Sequence, residues 1–179
     1  MPNVFFIADL HLNHRNILTF KDKDDNLIRP DFKDVDEMNS KMIDAWNSVV
    51  NPGEKIYVCG DFSFDKDAGK YISRLNGKKR LILGNHDDVK GQELYKFFEK
   101  IYAWRVFREW NFVATHMPLH PSSMFKVKNN VHGHTHQNFV MQENGKIRDY
   151  RYFNVSVEPL NYKPISGEEI SEWFKKHAG

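Results

Sequence analysis

Val131-His132-Gly133-His134-Thr135-His136 ends a short apolar run with two imidazoles that lie two residues apart. Because side chains alternate between the faces of an extended segment, His134 and His136 are expected to point the same way. Gly133 lets another group approach the backbone closely. Two neutral imidazoles that converge on one point are a metal-ligand arrangement. The stretch indicates a metal site at a strand end, although the same spacing also occurs on ordinary strands.

The same arrangement, in which β-forming residues are followed at once by Asp, His or Asn, recurs along the chain. The places are Asp9 with His11, Gly60-Asp61, Gly84-Asn85-His86-Asp87, and Thr115-His116. Carboxylate, amide and imidazole groups together suit divalent transition metals. In Gly84-Asn85-His86-Asp87, polar groups packed after a buried strand are costly unless each has a partner, so function explains this block better than structure does. For Asp9 with His11 alone, an Asp that caps a turn beside a surface His is the competing interpretation.

Short apolar runs that alternate with helix-like segments predict an α/β fold. We expect strands at 3–8, 55–59, 79–83 and 110–114, and one or two more within 146–157. We expect helices at 38–49, 67–76, 92–100 and 166–176. Asp34 or Asp36 is expected to cap the first helix, and Ser166-Gly167-Glu168-Glu169 forms a capping box for the last. The polar segment 19–33 is expected to be a long loop.

The composition is that of an ordinary globular protein. The chain has 179 residues, of which 40% are hydrophobic and 28% are charged, and its formal net charge is +2. This charge indicates no general affinity for polyanions. Cys59 is the one cysteine, which excludes an internal disulfide and suits a reducing compartment. We therefore expect a single domain over residues 1–179, a cytoplasmic location and no membrane partner.

The order of the polar blocks resembles the calcineurin-like metallophosphoesterase superfamily. The signature of that superfamily is Asp-x-His, Gly-Asp, Gly-Asn-His-Asp or Glu, a separate His, and Gly-His-x-His. Every block is present between Asp9 and His136. Asp9, His11, His14, Asn16 and Ile17 also match the opening of the short, uncapped bacterial and phage phosphoesterases. The Gly-Asp-x-x-Asp-Arg-Gly motif of many larger phosphatases is absent, which argues against a protein Ser/Thr phosphatase.

The resemblance implies a four-layer α-β-β-α sandwich, in which two mixed sheets are flanked by helices and the site lies at the carboxyl ends of the strands. It implies that Asp9, His11, Asp61 and His136 hold one metal ion, while Asp61, Asn85, His116 and His134 hold a second. Asp61 would then bridge the two ions. Among divalent ions Mn²⁺ is expected first, with Fe²⁺, Zn²⁺, Ni²⁺ and Mg²⁺ as alternatives.

The resemblance also assigns catalytic residues that are not metal ligands. His86 would reach the substrate phosphate and the leaving-group oxygen, as the histidine of this block does in the superfamily. A protonated imidazole there could stabilise phosphoryl charge and protonate the leaving alkoxide. Asp87 would sit behind His86 and orient its ring.

The expected function is hydrolysis of phosphodiester or phosphomonoester bonds in a small substrate, with a water activated by two metals. A metal-dependent nuclease that acts on nucleic-acid ends is one alternative, and the sequence has no basic stripe that would favour it. A non-catalytic scaffold of the same fold is the other, and lost ligands would mark it. Every expected ligand is present. The oligomeric state stays open.

Basic side chains near the blocks are candidates for contact with the substrate phosphate. The main candidates are Arg15, Arg29 and His14, and Lys126 and Lys128 are further ones. For the arginines and lysines, a solvated surface charge is the competing interpretation. For His132, a hydrogen-bonded core histidine is the preferred interpretation.

Overall fold

The first sheet is built around β1, residues Val4–Ile7. The computed structural model describes residues 3–66, 68–89 and 93–177. Parallel strands extend the sheet on one side of β1, and a short antiparallel strand pairs on the other. They are β2 (Lys55–Val58), β3 (Lys78–Ile82), β4 (Lys100–Tyr102) and β9 (Ile165–Ser166), in the order β4-β3-β2-β1-β9. β1 is buried on both faces, as its continuous apolar run predicts.

The second sheet has the order β5-β6-β7-β8. Its strands are β5 (Arg105–Phe107), β6 (Phe112–Ala114), β7 (Asn129–His132) and β8 (Tyr152–Asn154). β5 pairs antiparallel with β6, whereas β6, β7 and β8 are parallel. Two mixed sheets combined with helices confirm the predicted α/β class.

The described α-helices are α1 (Val35–Asn47), α2 (Gly69–Ile72) and α3 (Gly167–His177). Asp34 caps α1, because its side chain accepts a hydrogen bond from the N–H of Glu37 at 2.8 Å. The predicted capping box of α3 is confirmed. The N–H of Glu169 donates to Ser166 Oγ at 3.2 Å, and the N–H of Ser166 donates to Glu169 Oε2 at 3.0 Å.

Alternate residues of the first sheet enter different cores. Ile7, Val58 and Leu81 face a core that includes Met38 and Trp46 of α1. The residues that point the other way pack between the sheets, and these are Phe6, Tyr57 and Ile82 of the first sheet against Phe112, Val131 and Phe153 of the second. Ile170 and Phe174 of α3 join this inter-sheet core.

Loop segments cover the outer face of the second sheet. Val113 and Tyr152 pack there against Met124, with Leu119 and Val140 beside them. Within the described part of the chain, the helical structure in these covering segments is one 3₁₀ turn, Pro121–Ser123. Prolines at 118 and 121 explain the irregular path, because proline disrupts helix interiors.

Two predicted helices differ from the structure. Within the predicted 67–76 helix, position 67 lies outside the described residues and α2 covers Gly69–Ile72. The prediction of a helix over 92–100 is wrong where the chain is described, because a single 3₁₀ turn, Leu94–Lys96, is followed by β4. Position 92 lies outside the described residues. Leu94 and Phe98 are buried, but Ile101 pairs with Leu81 in the sheet, so the apolar spacing spans two elements.

The parallel strands of both sheets deliver their following residues to one edge of the sandwich. A bridge between Ala8 and Ser156 joins the sheets at this edge, where the N–H of Ala8 donates to the carbonyl of Val155 at 2.7 Å. Loops at the carboxyl ends of parallel strands are the usual place for a site in α/β proteins. Among the described residues, the structure contains no helix with the length and apolarity needed to cross a membrane.

Candidate functional site

The predicted metal ligands follow strand ends in both sheets. Asp9 and His11 follow β1, Asp61 follows β2, Asn85 follows β3, His116 follows β6, and His134 and His136 follow β7. Donor atoms of Asp9, His11 and His136 lie within 4.8 Å of one another, and so do those of Asp9, Asp61 and His116. The imidazole of His134 lies beside that of His116, with 5.1 Å between ring centroids. The structure therefore brings these side chains into one cluster.

Asp61 lies between His11 and His116 in the cluster. Its Oδ2 is 3.7 Å from His11 Nε2 and 3.4 Å from His116 Nε2. Its Oδ1 accepts the backbone N–H of His86 at 2.9 Å. Burial raises the pKa of this carboxyl, but His116 and the N–H of His86 outweigh it and lower the pKa to about 2. Asp61 is thus ionised at neutral pH and faces a histidine on either side.

Asp9 is buried with one carboxylate oxygen bound by the protein. Its Oδ2 accepts the hydroxyl of Ser156 at 2.8 Å and the backbone N–H of His134 at 2.9 Å. Burial raises the pKa of Asp9 to about 6, against the opposing influence of His116 and His136. A positive charge nearby would stabilise the ionised form of this buried carboxyl.

Several buried oxygen and nitrogen atoms that could bind a metal make no hydrogen bond within the described part of the chain. Within the described residues, Asp9 Oδ1 and both ring nitrogens of His11 make no hydrogen bond. Burial, followed by the charge of Arg29, lowers the pKa of His11 to about 2, so this imidazole is neutral and able to bind a cation. Unpaired buried polar atoms are costly. Carboxylate, imidazole and amide donors together fit a divalent transition metal.

Hydrogen bonds hold His116 between Cys59 and Asn85. Its Nδ1 lies 2.9 Å from the carbonyl oxygen of Cys59, and its Nε2 lies 2.9 Å from Asn85 Oδ1. Burial opposes protonation of His116, but the hydrogen bond to Asp61 and the charge of Asp9 outweigh burial and raise its pKa. The buried Cys59 thus contributes its carbonyl to the site, and burial raises the pKa of its thiol.

The ligands do not converge through an extended backbone, so that part of the prediction is wrong. The left-handed region is occupied by Asp9 (φ 57°), His11 (φ 48°), Asp61 (φ 54°), His134 (φ 69°) and His136 (φ 49°). Non-glycine residues rarely adopt this conformation, and it is concentrated at functional sites. The chain therefore turns sharply after β1, β2 and β7 and directs successive side chains to different parts of the cluster.

Glycines beside the ligands leave the space that the ligand side chains fill. A Cβ on Gly133 would lie 2.5 Å from Asp9 Oδ2 and 2.5 Å from Ala8 Cβ. A Cβ on Gly84 would overlap Asp61 Oδ1. Close approach to the backbone explains the glycines in the Gly-Asn-His-Asp and Gly-His-x-His blocks.

His86 lies at the solvent-exposed side of the cluster. Its ring centroid is 5.8 Å from that of His11 and 5.0 Å from that of Phe64. The predicted role of Asp87 as the partner of this ring is wrong. Asp87 instead accepts backbone N–H groups of Asp61 at 2.9 Å, Phe62 at 3.0 Å and Gly84 at 2.8 Å. It therefore fixes the loop after β2 against the loop after β3.

The predicted substrate contact of Arg29 is also wrong, because this side chain is only 1% exposed. Its guanidinium donates to Glu158 Oε1 at 2.9 Å, to the carbonyl of Leu10 at 3.0 Å and to the carbonyl of Asp9 at 2.5 Å. Arg29 thus binds the backbone of the Asp9 loop from the interior of the protein.

The other predicted substrate contacts lie nearer the surface. Arg15, Lys126 and Lys128 are exposed, so their predicted roles stay predictions. His14 is half-buried beside the cluster, with 5.7 Å between its ring centroid and that of His11. His132 is buried, and its Nδ1 lies 2.7 Å from the carbonyl oxygen of Gly133, as expected of a core histidine.

Glu158 and Phe64 belong to the site but were not predicted. Glu158 Oε1 lies 2.9 Å from His136 Nδ1, so a carboxylate fixes the orientation of this imidazole. Phe64 stacks on His14 at 4.0 Å between ring centroids and lies 5.4 Å from His11. Phe64 lies only a few residues after the Gly-Asp block, and this closeness in sequence is a weak indication that it belongs to the site. Glu158 lies far from any block, so the sequence gives no such indication for it.

Comparison with known proteins gives relatives from Methanocaldococcus jannaschii and from a Mycobacterium phage. No family model matches the chain. The chain is 32% identical to the uncharacterized protein MJ1445 of Methanocaldococcus jannaschii over 183 residues, which cover 98% of this chain and 93% of that protein. It is 35% identical over 92 residues to the gene 66 protein of Mycobacterium phage L5, which cover 49% of this chain and 41% of the phage protein.

A solved structure has the same overall fold. The protein of unknown function AQ665 from Aquifex aeolicus superposes with a TM-score of 0.71 at 25% identity, over 96% of this chain and 99% of that one. The similarity to MJ1445 extends over nearly the whole of both chains. The strand-end cluster is built on a fold that AQ665 shares. The chain belongs to the same family as MJ1445.

Proposed function

We propose that this protein is a metal-dependent phosphoesterase with a dinuclear site. The observation that carries the proposal is the convergence of the predicted ligands on Asp61, where Asp9 Oδ1 and the His11 nitrogens make no hydrogen bond to any described residue. One ion would be held by Asp9, His11, Asp61 and His136, and a second by Asp61, Asn85, His116 and His134. Asp61 Oδ2, which faces both His11 and His116, supports the bridging role.

The finer fold assignment is part of the same proposal. Two mixed sheets packed face to face, with α1 and α2 outside the first, agree with the metallophosphoesterase sandwich expected from the motifs. In this chain, loop segments with a 3₁₀ turn would take the place of the outer helices on the second sheet.

When bound, two divalent cations would neutralise the phosphoryl oxygens of an ester and acidify the attacking water. The chain's own residues have separate tasks. His86, at the exposed side of the cluster, would donate a proton to the departing ester oxygen. Glu158 would hold the His136 ring in its binding orientation through the 2.9 Å contact with Nδ1. Asp87 would hold the loops that carry Asp61 and His86 in fixed relative positions, because its carboxylate accepts backbone N–H groups from both loops.

Hydrolysis of bis(p-nitrophenyl) phosphate tests the proposal. Protein stripped with a chelator should lose its activity and regain it with Mn²⁺. His116→Ala should abolish most of the activity, since His116 contacts both Asn85 and Asp61. The matched control is His120→Ala, because His120 is exposed and its Nδ1 is bound to Ser122 Oγ. Full activity in the chelator-stripped protein, or equal activity in the two variants, would refute the proposal.

A further inference from the structure

A side cavity adjoins the cluster where Asn85 and His116 lie. It has a volume of about 300 Å³ and, apart from these two side chains, is lined mainly by apolar groups. We call it the lateral pocket and define it by Leu83, Asn85, Trp104, His116, Met117 and Leu119. Among the described residues that line it, His116 is the one ionisable side chain. The pocket is thus continuous with the proposed phosphoester site but has little charge of its own.

The rim of the lateral pocket exposes large apolar side chains. Trp104 is 46% exposed and Met117 is 49% exposed. Phe125, which is 42% exposed, stacks on Trp104 with 4.2 Å between ring centroids and 16° between planes. Isolated exposed apolar residues are ordinary, but a group of them around a cavity marks a binding surface.

The backbone that presents Phe125 is strained. Phe125 has φ 51° and the next residue, Lys126, has φ 67°. Two consecutive residues with side chains rarely occupy the left-handed region, and a bulky aromatic residue does so at a cost. This backbone conformation places the Phe125 ring against the indole of Trp104 at the edge of the pocket. Backbone strain of this kind is concentrated at ligand sites.

The size and chemistry of the pocket limit what can enter it. A cavity of this volume accommodates a single ring system, and its apolar lining disfavours a second phosphate or a carboxylate. Flat aromatic groups gain most from contact with Trp side chains, because their faces stack. Asn85 and His116, as proposed ligands, would place the phosphoryl group at the mouth of the pocket.

We propose that the lateral pocket binds a flat, uncharged aromatic ring of the substrate, so that the protein prefers aryl or nucleoside phosphoesters to alkyl or sugar phosphates. This inference rests on the proposed phosphoesterase function, and it adds a substrate class. Trp104 would be the specificity-determining residue, and Phe125 would position it.

Phosphonates test the preference without turnover, because their C–P bond is not hydrolysed. Calorimetric titration of Mn²⁺-loaded protein should give phenylphosphonate about 5- to 100-fold tighter binding than methylphosphonate, which is the range of one ring stacked on an aromatic side chain. Trp104→Ala should remove this preference and leave the affinity for methylphosphonate within about twofold. Tyr95→Ala is the matched control, since Tyr95 is 58% exposed and does not line the pocket.

Further ligands distinguish a nucleobase from a simple aryl group as the ring that the pocket binds. The 5′-methylenephosphonate analogue of thymidine monophosphate should bind more tightly than phenylphosphonate if the ring is a nucleobase, and more weakly if it is a simple aryl group. Glucose 6-phosphonate, a polar ring of similar size, should bind no better than methylphosphonate. Phe125→Ala should reduce the aromatic preference by a smaller factor than Trp104→Ala.

The outcomes distinguish this inference from the proposed function. Equal affinities for phenylphosphonate and methylphosphonate, binding of neither, or a preference that survives Trp104→Ala would overturn the pocket assignment. If the same Mn²⁺-loaded sample still hydrolyses bis(p-nitrophenyl) phosphate, the phosphoesterase proposal stands in that case. A preference that disappears with Trp104→Ala, in protein that hydrolyses no ester, would show that the pocket binds aromatic rings but would refute its assignment to a phosphoesterase substrate.

Discussion

Asp9 and Asp61 each use one carboxylate oxygen to bind the protein and keep the other toward histidines. Asp9 Oδ2 binds Ser156 and the N–H of His134, while its Oδ1 is unpaired within the described structure. Asp61 Oδ1 binds the N–H of His86, while its Oδ2 faces His11 and His116. This division fixes the carboxylates before any ligand arrives, which is how a preorganised site differs from a cluster of surface acids.

Gly133→Ala should damage the site through Asp9. The added Cβ would lie 2.5 Å from Asp9 Oδ2 and from Ala8 Cβ, so one of them must move. We expect a loss of about 1–3 kcal/mol in the free energy of unfolding and a weaker affinity for Mn²⁺. Denaturant unfolding and metal titration measure the two effects. Gly53→Ala is the control because a Cβ added at Gly53 would meet no described atom within 4 Å beyond its chain neighbours. An unchanged Gly133→Ala protein would contradict the packing around Asp9.

Arg29→Met should destabilise the fold, whereas Arg15→Met should not. Arg29 is buried, and its removal takes a permanent positive charge away from the buried Glu158 carboxylate and hydrogen bonds away from the Asp9 and Leu10 carbonyls, at a cost of about 3–5 kcal/mol. Arg15 is exposed, and its loss should change the free energy of unfolding by less than about 0.5 kcal/mol. Urea unfolding of both variants measures this. Wild-type stability combined with lost substrate binding in Arg29→Met would restore Arg29 as a substrate contact.

His86→Ala should separate proton transfer from metal binding. His86 is expected to protonate the leaving oxygen and not to hold an ion, so the variant should keep its metals while kcat falls by about 10²–10⁴-fold. The loss should be large for an alkyl ester and smaller for a nitrophenyl ester, whose phenolate leaves without a proton. Metal content and kcat are measured together. A variant that has lost a metal would show that His86 is a ligand.

Among the elements, long apolar patterns predicted structure better than short ones. The buried run of β1 and the capped helices α1 and α3 were predictable, because hydrophobic periodicity and caps are local signals. β5 and β9 were missed, because each has only two or three residues and lies outside the longer apolar or alternating runs that revealed β6 and β8. The segment after Leu94 was predicted as helix because core residues from a 3₁₀ turn and from β4 happened to follow helical spacing.

Ser166→Ala tests the capping box of α3. Ser166 Oγ accepts the N–H of Glu169 and donates to its carboxylate at 2.6 Å, so the variant loses both contacts. We expect about 1 kcal/mol less stability in thermal or urea unfolding. Ser73→Ala is the control, because Ser73 Oγ donates to the carbonyl of Lys70 at 3.3 Å in an exposed position and caps no helix start. Equal losses in the two variants would argue against the cap.

In the whole molecule, the site depends on contacts between distant parts of the chain. The motif blocks predicted which ligands would meet, because parallel strands deliver their ends to one edge. The motifs could not predict Glu158, which reaches His136 and Arg29 only through the path of the chain after β8. They also could not predict that Asp87 binds the loop after β2, since that contact depends on the spacing of two loops in the folded protein.

Equilibrium dialysis against Mn²⁺ gives the number of metal ions bound per chain, and this number tests whether the site is dinuclear. The wild-type protein should bind two ions, and Asp61→Asn should lose at least one, since Asp61 Oδ2 lies between His11 and His116. Asp24→Asn, a change at an exposed loop position, should still bind two. A wild-type protein that binds no Mn²⁺, or an Asp61→Asn variant that retains both ions, would contradict the dinuclear site.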